Sequence, residues 1–99
     1  EESGIISPIV GHVGDGNFHT LPIAMPDDDA TWARITAFSE RLSERAIAMG
    51  GTCTGEHGIG QGKIDYLRQE MGSAVDVMMA VKQALDPHDI LNPGKLFIK

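Results

Sequence analysis

The sequence predicts an α+β fold: an antiparallel β-hairpin packed with a long helix and two further helices. Three observations predict it. Near the start, β-branched and apolar residues flank an Asp-Gly pair. Apolar residues then recur at three- and four-residue steps over about 20 positions. Two shorter helical stretches follow a glycine-rich window.

Each element has a local cause. Residues 5–11, IISPIVG, read as a strand, with Pro8 marking an edge position, a bulge or the strand's start. Residues 17–25, NFHTLPIAM, read as its partner, with Pro22 carrying the same restriction. Asp15-Gly16 between them is a favoured two-residue hairpin turn. Residues 26–29, PDDD, make a loop and a helix start, because carboxylates suit the positive end of the helix dipole. Trp32, Ile35, Phe38, Leu42, Ala46 and Met49 then form the inward stripe of an amphipathic helix. Gly50-Gly51 stops it. Residues 52–62, TCTGEHGIGQG, are a loop, and residues 63–71 form a short helix broken at Gly72. Ser73 is placed to cap a helix over 74–85, with Val75, Met78, Val81 and Leu85 inward. Asp86-Pro87 ends that helix, since a residue before proline avoids the helical region. The tail, ILNPGKLFIK, holds a Pro-Gly turn and a short apolar end that reads as a last strand.

Ninety-nine residues fit one small domain or a piece of one. The opening EESGIIS has no Met and runs straight into an apolar segment, which reads as a start inside a larger protein. Part of the apolar surface is then expected to face portions outside these residues. A net charge of −6 without a basic stripe argues against nucleic-acid binding. No apolar run is long enough for a membrane span. The single cysteine, Cys53, has no internal disulfide partner and reads as a small buried residue. The compartment stays open between cytoplasm, the periphery of an inner membrane, and the mitochondrion.

Glycine and histidine mark the chemistry. Nine of the 12 glycines fall in two windows, 11–16 and 50–62. Three of the four histidines, His12, His19 and His57, lie in or beside them, while His88 sits in a charged turn and reads as solvated. A tight Asp15-Gly16 turn pairs 14 with 17, 13 with 18, and 12 with 19. His12 and His19 then stand opposite each other, about 5 Å apart at Cβ. A mononuclear catalytic metal commonly takes three protein ligands, and Glu56 in the second window is the best third candidate. Two histidines and one carboxylate suit Zn²⁺, Mn²⁺ or Fe²⁺. His57, with an imidazole ring that can take up a proton, is then available as a general base. Solvated polar residues at a turn are the competing reading of the hairpin histidines, and a plain loop pair that of Glu56-His57.

GHVGDGNFH, GGTCTGEHGIGQGK and ALDPHDILNPGK, in that order, resemble the closing part of FAD-dependent 2-hydroxy-acid dehydrogenases: D-lactate dehydrogenases, glycolate oxidase flavoprotein subunits and D-2-hydroxyglutarate dehydrogenases. The resemblance covers nearly all of residues 5–97. It implies that His12, His19 and Glu56 bind a divalent metal beside the flavin and that His57 is the active-site base. It further implies that Asn92, in LNPGK, touches the flavin near its ring. The implied reaction is oxidation of a small D-2-hydroxy acid to the 2-oxo acid, with hydride transfer to flavin N5. The FAD-binding domain, on this reading, lies outside the chain, which is the C-terminal portion of the substrate or cap and flavin-contacting region. Alone the piece is expected to be inactive. Cytochrome, quinone or an electron-transfer flavoprotein is the implied acceptor. Leu21 stands where hydroxyglutarate-type members carry a polar residue, which disfavours a diacid substrate. Two other classes compete: a non-haem metal oxygenase-type site, and a structural or interaction domain inactive on its own.

Overall fold

In a computed structural model of the chain, the described residues are 3–97. They form β1 (Ile9–Val10), β2 (His19–Thr20), α1 (Asp29–Ala48), α2 (Ile64–Met71) and α3 (Ala74–Leu85). The α+β expectation holds, and the three helices fall where their apolar spacing put them. The chain divides into two compact units, Glu1–Arg45 and Ala46–Lys99.

In the first unit, β1 and β2 pair antiparallel with Ile9 opposite Thr20 and Val10 opposite His19. The ribbon continues outward in the same register. Leu21 donates its N–H to Pro8 and Ile23 to Ile6, both at 2.9 Å. Pro22 falls between these two donors, where a main-chain amide points away from the partner, so its missing N–H costs the ribbon nothing. Pro8 stands where its own N–H would have returned a bond, and the regular strand begins directly after it.

Asp28 caps α1. Its Oδ1 accepts the Thr31 N–H at 3.1 Å and its Oδ2 the Thr31 hydroxyl at 2.5 Å. The hydroxyl bond first, then the amide bond, holds the Asp28 carboxyl below its ordinary value. Just upstream, the Met25 carbonyl accepts the Asp28 N–H at 3.1 Å and the Trp32 indole N–H at 2.9 Å. Trp32 is therefore pinned by its polar edge while much of its ring is exposed. Ile35 is the buried member of the predicted stripe.

The second unit begins with the end of α1. Gly50 adopts φ +82° and donates to Ile47 at 3.0 Å, while Gly51 donates to Ala46 at 2.8 Å. These paired bonds are a Schellman stop, which needs a left-handed residue at Gly50. Beyond the glycine loop, α2 and α3 pack together, with Leu67, Val75 and Cys53 buried. A depression of about 220 Å³ is lined by Ile64, Asp65, Arg68, Val75, Met79, Leu96 and Phe97.

Three expectations are corrected. Met49, Val81 and Leu85, read as inward, are 77%, 52% and 79% exposed. Met49 and Leu85 lie at or just past the last turn of their helices, where the stripe runs out of partners, and in α3 only Val75 is buried. Ser73 occupies the cap position of α3 with helical dihedrals and makes no side-chain cap bond. The tail forms turns in place of a strand through residue 97, because Asp89, Asn92, Gly94 and Leu96 all take positive φ, which extended pairing excludes. Ile98 and Lys99 lie outside the described residues.

Candidate functional site

The hairpin tip is built by the main chain. Val13–Asp15 form one 3-10 turn, followed by Gly16 at φ +72°. The His12 carbonyl accepts the N–H of Asp15 at 2.9 Å and of Asn17 at 3.2 Å, and Gly16 donates to Val13 at 2.9 Å. The expected two-residue turn at Asp15-Gly16 is therefore not formed. It needs positive φ at both central residues, and only Gly16 has it. The 3-10 turn uses three main-chain donors and needs one left-handed glycine, and the connection lengthens to residues 11–18. Consequently Val10, not His12, stands opposite His19. His12 is exposed at the mouth of the turn and His19 is half-buried in β2.

Gly11 makes this tip possible. It takes φ +145°, and a Cβ there would lie 2.7 Å from Phe18 Cα and 2.8 Å from the Asn17 carbonyl oxygen. Both obstacles are backbone and cannot swing aside.

In the second unit, Glu56 and His57 are exposed neighbours within the glycine loop. The Thr54 hydroxyl donates to the Gly58 carbonyl at 3.2 Å, so a five-residue loop closes around them. Cys53, one residue before that clip, is buried as expected. Burial, then the nearby Glu70 carboxylate, pushes its thiol up from the ordinary value, which keeps it protonated and a poor metal ligand. Its main chain is gripped from both sides: the N–H donates to Glu70 Oε1 at 2.9 Å, and the carbonyl accepts from Lys63 Nζ at 2.7 Å.

Asn92, singled out in the third motif, is exposed with φ +46°, a left-handed conformation that asparagine tolerates. The segment before it is held by Asp86, whose side chain is 7% exposed. Asp86 accepts the N–H groups of Ile90 at 3.0 Å and Leu91 at 2.9 Å, together with the Lys82 ammonium. Lys82 also donates to the Leu91 carbonyl at 2.5 Å and lies 3.5 Å from Asp89. The Lys82 bond first, then the Ile90 amide, brings the Asp86 carboxyl down to about 2, and the same bond raises Lys82. In the sequence Asp86 marks only a helix end. The available signal was its four-residue spacing from Lys82. His88 is exposed, as expected.

Residues 1–96 match the family model of FAD linked oxidases, C-terminal domain. The chain is 54% identical over 95 residues to a probable mitochondrial D-lactate dehydrogenase of Danio rerio, covering 95% of this chain and 19% of that protein. It is 46% identical over 99 residues to the mitochondrial D-lactate dehydrogenase [cytochrome] 1 of Saccharomyces cerevisiae, covering 98% and 16%. It is 46% identical over 91 residues to glycolate oxidase subunit GlcD of Bacillus subtilis, covering 90% and 19%. The chain thus spans less than one fifth of the length of these relatives.

Proposed function

The chain belongs to the family of FAD linked oxidases, C-terminal domain, and on that premise we propose that it is the C-terminal portion of an FAD-dependent dehydrogenase of small D-2-hydroxy acids, D-lactate or glycolate. The FAD-binding domain belongs to the rest of the protein. His12, His19 and Glu56 hold a divalent metal, His57 is the base, and Asn92 meets the flavin. The donor set fits this assignment: two imidazoles and a carboxylate, with the one thiol buried and kept protonated. When bound, FAD would supply the hydride acceptor, and a metal held by His12, His19 and Glu56 would supply Lewis-acid polarisation of the substrate hydroxyl.

The chain's own residues do the rest. Glu56 and His57 project from the same clipped loop, so a ligand and a base stand side by side. That juxtaposition is the observation that carries the reading. His57 takes the hydroxyl proton as the Cα–H bond breaks. Leu21 favours a monoacid because it offers no hydrogen bond to a second carboxylate. Of the three acceptor classes, cytochrome is favoured by the name of the yeast relative, and the mitochondrion by the names of both the yeast and fish proteins.

Anaerobic addition of D-lactate or glycolate to the intact protein should bleach the flavin absorbance. No bleaching by any small D-2-hydroxy acid removes the proposal. His12→Ala should lose metal and turnover together. His57→Ala should keep the metal and lose turnover by at least about a hundredfold; a rate near wild type removes His57 as base.

A further inference from the structure

A loop rich in glycine has few side chains with which to hold itself, and free glycine backbone is costly to order. Yet Glu56 and His57 sit in such a loop, and catalysis by adjacent groups needs them fixed to within a fraction of an ångström. The fixing groups are visible. Glu70 and Lys63 are two helical turns apart, so they share one face of α2 and its N-terminal boundary. From that face they take the two polar groups of Cys53, the N–H at 2.9 Å and the carbonyl at 2.7 Å. Each bond has one ionised partner, which makes it stronger than an ordinary amide bond. Both side chains are half-buried and Cys53 is buried, so water competes poorly for them. Thr52 adds a third tie, its hydroxyl lying 3.3 Å from both the N–H and the carbonyl oxygen of Thr54. The Thr54 hydroxyl then spans to Gly58 and closes the loop.

We propose that Glu70, Lys63 and Thr54 are positioning residues that set where the Glu56 carboxylate and the His57 imidazole stand. The inference rests on the reading of Glu56 as metal ligand and His57 as base. α2 is then the rigid template of the site, and the glycines let the loop follow it.

The test uses the intact protein with four variants in two pairs. Glu70→Ala removes the acceptor, and Glu70→Gln keeps an amide oxygen in its place. Thr54→Val removes the hydroxyl at nearly constant shape, and Thr54→Ser restores it. Metal affinity by chelator competition and kcat with D-lactate are read for each. Glu70→Ala and Thr54→Val should lower metal affinity and kcat by about 10- to 100-fold, with Glu70→Gln and Thr54→Ser recovering most of both. Hydrogen exchange at the Cys53 amide should quicken at least tenfold in Glu70→Ala and not in Glu70→Gln. Glu56→Ala and His57→Ala run alongside. If they act while Glu70→Ala and Thr54→Val leave metal affinity and kcat at wild type, the positioning role falls and the site reading survives. If Glu56→Ala and His57→Ala are themselves silent, the site reading falls and takes the positioning role with it. A Glu70→Ala protein that does not fold leaves the Thr54 pair to decide.

Discussion

The first glycine window carries His12, with His19 just beyond it in β2, and the second carries Glu56 and His57; the two are built by opposite means. The tip at 11–18 is shaped by its own main chain: a 3-10 turn, a left-handed Gly16, and a Gly11 that lets two backbones touch. The loop at 52–62 is shaped by side chains from α2 and its N-terminal boundary, Glu70 and Lys63, reaching back 17 and 10 residues. A locally built tip is sensitive to what the backbone permits. A loop held from a distance is sensitive to the loss of single functional groups and indifferent to much of its own composition.

The sharpest way to break this contrast is at Gly11. Gly11→Ala places a methyl group against immovable backbone at a dihedral that alanine avoids. The expected cost is about 2–3 kcal/mol, read in the intact protein as faster hydrogen exchange at His19. Exchange at the Cys53 amide should not change. A tip that tolerates alanine would mean that its side chains hold it too.

Acid provides a second test, since charged side chains hold the second unit in two places. The Asp86 carboxyl is lowered in the folded state to about 2. The stability it contributes is therefore complete above its ordinary value near 3.8, declines as pH falls below that, and is gone below about 2. Unfolding measured from pH 5 to pH 2 should show wild type and Asp86→Asn converging across that window. Curves that stay parallel would show that the carboxylate contributes nothing specific.

The smallest expected effect is at Gly50, where the loop leaves α1 through the Schellman stop. Gly50→Ala should cost about 1 kcal/mol, because alanine pays to adopt the left-handed conformation. Loss of that size by denaturant melting, with metal affinity unchanged, would confine the backbone contribution to the helix end.

What was legible in the sequence follows the same division. α1, α2 and α3 were readable because apolar spacing and helix stops are local signals, and Gly50-Gly51 acts as predicted. The hairpin was readable but its register was not. The preference of Asp15-Gly16 for a tight turn lost to a 3-10 turn that uses three donors and needs one left-handed glycine. That moved His12 out of line with His19. The tail was misread because its apolar residues suggest a strand, while positive φ at Asn92 and Leu96 is not written in hydropathy. Glu70 and Lys63 were invisible as parts of the site, because their grip on Cys53 is a contact between segments and leaves no periodic trace.

The Asp86 clasp carries a consequence for how this segment can vary. Its carboxylate receives the amides four and five positions on, and Lys82 takes the carbonyl of the same Leu91. These bonds measure out the chain between them. The side chain of the exposed His88 can be exchanged at little cost. One residue inserted or deleted between Pro87 and Asp89, however, would bring the wrong amides to Asp86 and re-aim Asn92. The segment is a ruler, free in composition and fixed in length.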